Sequence, residues 1–159
     1  MKILVAEYAS ALGLGGTCEL EGRSMLAALV RSFSRCGHEV VYPTSGPELE
    51  EGRSLKIRKE ADFEALLEGE AEAGLLIAPD GMQPHLLAIL EKNTVNLGAS
   101  PAAAALAADK LLCTRALERA GVPVAGIVEG PDPVEMGCMS YVVKPRTGSS
   151  ASKVGPAVI

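Results

Sequence analysis

The distribution of apolar and polar residues predicts alternating strands and helices over the first hundred residues. Short apolar runs rich in β-branched residues indicate buried strands. Four such runs occur: KILVAEY (2–8), HEVVYP (38–43), GLLIAP (74–79) and TVNLG (94–98). Segments with an apolar residue every three to four positions predict helices over 21–36, 61–70 and 84–93. Because strands and helices alternate, we expect parallel strands with right-handed crossovers in a small, doubly wound α/β domain spanning residues 1–99.

Two segments of this domain lack such periodicity and are predicted to be loops. Residues 44–54 are acidic and rich in turn-forming residues, and residues 9–21 contain Gly13, Gly15 and Gly16. A dinucleotide-binding fingerprint needs a third glycine where Cys18 stands, and a short turn into the helix. The sequence therefore argues against a nicotinamide or flavin site and favours a mobile substrate or interface loop over 9–21. Glu7 could contact a substrate there, although a buried or helix-capping acid is the favoured interpretation.

The pattern changes near residue 100, where we expect a second domain spanning residues 100–159. An alanine-rich segment followed by KLLCTRALERAG predicts helix as far as Gly121 and Pro123. Its apolar residues form one stripe: Leu112, Cys113, Ala116, Leu117 and Ala120. Short strands are predicted after it, over 122–129, 140–145 and 153–159, and the last two should pair as an antiparallel hairpin.

Composition excludes several classes of partner. The net charge is −5 and aromatic residues make up 3% of the chain, without tryptophan, which argues against nucleic-acid binding. Its four cysteines form no Cys-x-x-Cys pair and there are two histidines, so we expect reduced thiols and no metal site. The longest uncharged run, 94–108, contains Asn, Gly and Pro, so no membrane span is expected. These features predict a soluble, cytoplasmic protein.

Candidate chemistry lies in two stretches of the second domain. Lys144 ends an apolar strand, and Gly148, Ser149 and Ser150 follow it with backbone N–H groups and hydroxyls suited to phosphate oxygens. The alternative is an ordinary hairpin with a lysine at the strand edge and Gly-Ser as turn residues.

The second stretch begins at Lys110, in the first turn of a helix that Asp109 can cap. A cation is unfavourable at the positive end of a helix dipole. The position of Lys110 therefore suits a helix start that meets an anion, and the alternative is a solvated lysine.

Together, DKLLCTRALERAGVPV (109–124) and YVVKPRTGSSASKVG (141–155) resemble the ATP-grasp superfamily of carboxylate–amine ligases. The resemblance implies that Lys110 and Lys144 contact the phosphates of ATP, under a loop formed by Gly148, Ser149 and Ser150. Residues 1–99 look like the Rossmann-like domain that precedes ATP-grasp cores, and 100–159 like a first, incomplete ATP-grasp subdomain. Segments 1–13, 20–44 and 96–112 look most like archaeal tyramine–glutamate ligases of methanofuran synthesis.

The resemblance implies a ligase that activates a carboxylate, such as that of glutamate, as an acyl phosphate for attack by an amine, with ATP and Mg²⁺. Residues 151–153 replace the glycine usual in the family's loop, and no Asp, Glu or Asn follows Lys144. We therefore expect the Mg²⁺ ligands to lie beyond Ile159, assign no catalytic residue, and expect this N-terminal portion to be inactive alone. The alternative is a non-catalytic fragment or split-protein half that binds a partner, either a second copy or a complementary C-terminal half.

Overall fold

The computed structural model describes residues 1–69, 71–127, 141–148 and 155–157. The chain divides into two compact units: an N-terminal unit, Met1–Ala104, and a C-terminal unit, Ala105–Ile159.

The N-terminal unit is built on a five-stranded, entirely parallel sheet with the strand order β3-β2-β1-β4-β5. Leu4, in the central strand, lies opposite Val41 on one side and Gly74 on the other. The predicted doubly wound α/β fold is confirmed. The strands are β1 (Lys2–Glu7), β2 (Glu39–Thr44), β3 (Arg53–Lys56), β4 (Ala73–Ile77) and β5 (Val95–Asn96).

Six helices lie within the described ranges. They are α1 (Tyr8–Leu12), α2 (Gly16–Arg35), α3 (Glu60–Leu67), α4 (Gln83–Asn93), α5 (Pro101–Ala108) and α6 (Lys110–Arg119).

Helices cover both faces of the sheet, because successive side chains of a strand point to opposite faces. Ile3 and Val5 of β1 pack in one cluster with Leu26 and Val30 of α2. The intervening residues of β1 pack in a second cluster with α1, α3 and α4, whose members include Leu4, Ala6, Ala11, Phe63, Leu67, Leu86, Leu87 and Leu90. Burial on both faces explains why β1 reads as a continuous apolar run.

The predicted loop over residues 9–21 is wrong. Helix α1 begins directly after β1, and α2 begins at Gly16, so only Gly13, Leu14 and Gly15 separate the two helices. Gly13 ends α1 with a left-handed backbone, φ +66°, which glycine adopts without a steric penalty. The glycines therefore break one helical segment into two, and they do not form a long mobile loop.

Two strand assignments also need correction. The predicted loop over 44–54 runs into a strand, β3, which pairs in parallel with β2 at the edge of the sheet. The predicted strand over 122–129 is wrong in its described part, because residues 122–127 are neither helix nor strand. Residues 128 and 129 lie outside the described residues.

The predicted helical segment is divided at Asp109 into α5, within which the boundary between the two units falls, and α6 of the C-terminal unit. The predicted antiparallel pairing is confirmed between β6 (Tyr141–Val143) and β7 (Gly155–Ala157), with Val142 opposite Pro156. Neither α5 nor α6 contains a buried residue. The apolar stripe predicted on α6 is therefore open along the described part of this unit.

Candidate functional site

The start of α6 is closed by hydrogen bonds from within the chain. The Asp109 carboxylate accepts from the backbone N–H of Leu111 at 3.1 Å and of Leu112 at 3.0 Å, both through Oδ1. The N–H of Lys110 donates to the carbonyl oxygen of Arg146 at 3.0 Å. These are the donors that a helix start would otherwise offer to an anion. Contact of this helix start with an anion stays a prediction, and in this structure the Lys110 side chain is better placed to make it than the bonded backbone N–H groups.

Residues 146–148, which we call the arm, lie against this helix start. Arg146 Nε donates to Asp109 Oδ2 at 2.7 Å, and Asp109 forms an antiparallel bridge with Thr147. The ammonium group of Lys110 donates to the carbonyl oxygen of Gly148. The two sequence motifs are thus in direct contact, although Lys110 and Gly148 are 38 positions apart in the sequence.

The electrostatics of the contact favour an ionised Asp109. The N–H of Leu112 is the main cause that holds the pKa of this carboxyl below its ordinary value, and Arg146 lowers the pKa further. Asp109 is therefore a carboxylate at neutral pH, and it can cap α6 and hold Arg146 at the same time.

The structure describes three of the five residues that were predicted to contact phosphate. Lys110 and Gly148 are brought together, and Gly148 has φ +90°, a backbone conformation that favours glycine. Lys144 follows β6 directly and is exposed. Convergence of the Lys110 and Lys144 side chains on one anion stays a prediction. Ser149 and Ser150 lie outside the described residues.

Sequence reasoning missed Arg146 and the second role of Asp109. Asp109 was identified only as a cap, although a carboxylate has two oxygens and a cap needs one. The available signal was the Lys-Pro-Arg order ahead of the glycine, which puts a guanidinium within the phosphate motif. That signal does not identify the partner, which lies 37 positions earlier.

The chemistry of these residues fits a phosphate group. Lys110 has three ammonium donors, so it can hold the carbonyl of Gly148 and still offer N–H groups to phosphate oxygens. Magnesium fits less well. Across the described ranges, no group of three or more His, Cys, Asp or Glu residues could hold a metal ion. Both oxygens of Asp109 already accept hydrogen bonds.

Glu7 has a structural role at the carboxyl end of β1. It is buried, and its carboxylate accepts from the N–H of Ala9 at 3.1 Å and of Ser10 at 2.7 Å, which caps α1. Gly22 of α2 passes so close that a Cβ there would lie less than 3.0 Å from both carboxylate oxygens. The favoured interpretation of Glu7 as a satisfied, helix-capping acid is confirmed.

Next to Glu7, the phenol of Tyr8 donates to Glu60 Oε1 at 2.7 Å. Burial, together with the Glu60 carboxylate, raises the pKa of Tyr8 to about 12. Tyr8 also packs edge-on against Phe63, with ring centroids 5.3 Å apart. Tyr8 is therefore a neutral core residue that connects α1 to α3.

None of the helices in the described part of the chain is long and apolar enough to cross a membrane.

The chain is similar to proteins of known structure. No protein-family model and no curated protein matches the chain. A crystal structure from Archaeoglobus fulgidus, provisionally assigned to the ATP-grasp superfamily, is 27% identical to it, with a TM-score of 0.73. The match covers 93% of this chain and 47% of that one, so this chain spans about half the length of the protein that it resembles. This likeness in fold and sequence extends over nearly the whole of this chain.

Proposed function

We propose that this chain supplies phosphate contacts to an ATP-dependent carboxylate–amine ligase. In such a reaction the substrate carboxylate becomes an acyl phosphate, and the amine attacks its carbonyl carbon and displaces phosphate. The carrying observation is the contact between the two motifs, where Lys110 at the start of α6 donates to Gly148 of the arm. The likeness to an ATP-grasp structure over 93% of the chain supports the same assignment.

In this proposal the two lysines bind phosphate oxygens. Lys110 keeps one donor on the Gly148 carbonyl and offers the others to phosphate, while exposed Lys144 approaches from the end of β6. Two ammonium groups would offset the negative charge of the transferring phosphoryl group. The proposal assigns phosphate contacts to the described residues, among which no group of three or more His, Cys, Asp or Glu could hold a metal ion.

The finer assignment is the joining of tyramine to glutamate. It rests on the resemblance of segments 1–13, 20–44 and 96–112 to archaeal tyramine–glutamate ligases. Titration of tyramine and of glutamate into the chain tests it, with phenylethylamine and glutamine as controls. Equal affinity for tyramine and phenylethylamine would show that the phenol hydroxyl is not recognised, and it would contradict the assignment of tyramine.

The decisive experiment is calorimetric titration of the chain with ATP, with and without magnesium. Lys110→Ala and Lys144→Ala should each weaken binding by about 1–3 kcal/mol, the value of a charge-assisted hydrogen bond. Lys92→Ala, an exposed lysine in the last turn of α4, is the matched control for loss of one positive charge. Absence of ATP binding, or an equal effect of all three substitutions, would refute the proposal and favour a non-catalytic, partner-binding module.

A second measurement tests the expectation that the chain alone is inactive. Purified chain supplied with ATP, magnesium, glutamate and tyramine should release no phosphate above background. Sustained release that depends on both the acid and the amine would contradict this expectation.

A further inference from the structure

Asp109 uses its two carboxylate oxygens for two separate tasks. Oδ1 accepts from the N–H groups of Leu111 and Leu112 and thereby caps α6. Oδ2 accepts from Nε of Arg146, which belongs to the arm. The cap requires only the first oxygen, so helix stability leaves the interaction with Arg146 unexplained.

Arg146 is attached to the start of α6 at two points. Its side chain is bound to Asp109 at 2.7 Å, and its carbonyl oxygen accepts from the N–H of Lys110 at 3.0 Å. Arg146 stands midway between Lys144 and Gly148 in the sequence. Fixing Arg146 therefore restricts where the residues on either side of it can lie relative to Lys110.

We propose that Asp109 and Arg146 are positioning residues: their ion pair docks the arm on α6 and keeps Lys110 and the arm backbone together as one phosphate-binding unit. This inference rests on the proposed function, because it specifies how the same site is held ready for nucleotide. Neither residue needs to touch the nucleotide.

The physical reason is the entropy of the arm. A segment that must become ordered when a ligand binds reduces the affinity by the cost of that ordering. An ion pair that docks the segment beforehand removes part of this cost. The Arg146 and Asp109 side chains are 58% and 17% exposed, and a pair at such a surface changes an equilibrium by about fivefold at most.

Two substitutions separate the pair from the cap. Asp109→Asn retains an oxygen that can cap α6, but an amide N–H group then faces the Nε–H of Arg146 in place of Oδ2. Arg146→Gln removes the guanidinium and leaves Asp109 intact. Arg119→Gln, at the exposed last turn of α6, is the control with the same loss of charge.

Each variant of the full chain is measured in two ways at about 0.1 M salt, where interactions of distant surface charges are screened. Amide exchange of Lys110 reports on docking, because this N–H donates to the carbonyl of Arg146, while the Leu112 amide reports on the cap. Titration with ATP alone, without magnesium, reports on the phosphate site.

We expect Asp109→Asn and Arg146→Gln to speed exchange of the Lys110 amide and to weaken ATP binding measurably, by up to about fivefold. The Leu112 amide in Arg146→Gln, and both readouts in Arg119→Gln, should stay as in the parent chain, because both variants leave the Asp109 carboxylate in place. Unchanged exchange at Lys110, or unchanged affinity, would overturn the inference. If the parent chain binds no ATP, the proposed function fails and the role toward nucleotide fails with it. Faster Lys110 exchange in that case would still show that the pair docks the arm.

Discussion

The contacts within the N-terminal unit differ in kind from those within the C-terminal unit. In the N-terminal unit, helices cover both faces of a parallel sheet, and residues such as Val5, Leu26 and Phe63 are completely buried. In the C-terminal unit, α6 contains no buried residue, and Leu112 and Leu117 are 45% and 42% exposed. The described contacts between α6 and the arm are polar, namely hydrogen bonds and one ion pair.

This difference predicts that substitutions in the two units have different effects. Apolar burial provides most of the free energy of folding, whereas exposed polar pairs contribute little to it. Substitutions in the N-terminal unit should therefore lower the free energy of unfolding. Substitutions at the start of α6 and in the arm should act mainly on local order and on ligand binding.

The largest expected effect comes from the same substitution made in both units. Leu86→Ala removes a fully buried side chain of α4 and should lower the free energy of unfolding by about 2–5 kcal/mol. Leu112→Ala removes a half-exposed side chain of α6 and should change it by less than about 0.5 kcal/mol. Chemical denaturation monitored by circular dichroism measures both. A large decrease in the free energy of unfolding for Leu112→Ala would show that the apolar stripe of α6 is covered. The difference between the two units would then not hold.

The next effect tests the close packing of α2 against the end of β1. Gly22→Ala forces a methyl group onto the Glu7 carboxylate and should cost about 1–3 kcal/mol, partly offset by the better helix propensity of alanine. Gly81→Ala, where no atom lies within 4 Å of the added Cβ, is the control. In a Glu7→Asp background the carboxylate is shorter by one methylene, so the cost of Gly22→Ala should fall. An undiminished cost in that background would mean that the contact with Glu7 is not its cause.

A smaller effect is expected at Tyr8, with a defined dependence on pH. Tyr8→Phe removes the hydrogen bond to Glu60 and should cost about 1 kcal/mol at neutral pH. Because the folded pKa of Tyr8 is about 12, above its ordinary value of 10.0, the bond contributes fully below pH 10 and is lost as the pH rises towards 12. Denaturation at about pH 8 and about pH 11 should therefore show a difference between parent and variant that shrinks at the higher pH. A constant difference would contradict the raised pKa.

The smallest effect is local and belongs to the C-terminal unit. The folded pKa of Asp109 lies below its ordinary value of 3.8, so its carboxylate stabilises the start of α6 above about pH 4, and this contribution is lost as the pH falls through the folded value. Amide exchange of Leu111 and Leu112, corrected for intrinsic rates, should therefore accelerate between about pH 5 and about pH 3. The buried Leu86 amide serves as the reference. Equal protection at both pH values would show that Oδ1 does not hold these amides.

Four of the five strands of the sheet were predicted from short apolar runs, including β5 at one edge, although its Val95 is exposed. The buried strands β1, β2 and β4 were identified, because burial on both faces selects runs of apolar residues. Strand β3 was missed because Arg53–Lys56 lies at an edge with no fully buried side chain, so its sequence shows no apolar run. Helix α1 was missed because its five residues are set by a cap from Glu7 and a stop at Gly13, and neither produces periodicity.

The candidate site could also be predicted only in part from the sequence. Lys110, Lys144 and Gly148 were proposed from two motifs that are each local in the sequence, and their contacts with phosphate stay a prediction. The interaction of Asp109 with Arg146 was not found, because it exists only after the chain has folded. A cap and an ion-pair partner have the same sequence signal, a single aspartate before a helix, and only the position of the arm distinguishes them.

The central position of β1 has a consequence for the route by which the fold forms. Leu4 pairs with Val41 and Gly74, so β1 gains its ladder only after loops of tens of residues have closed on both sides. Helix formation needs only local contacts and takes about a microsecond, whereas non-local parallel pairing is far slower. During that interval the apolar Lys2–Glu7 segment has no partner and can associate with other chains. The central strand of the finished sheet is therefore exposed to association with other chains while the molecule forms.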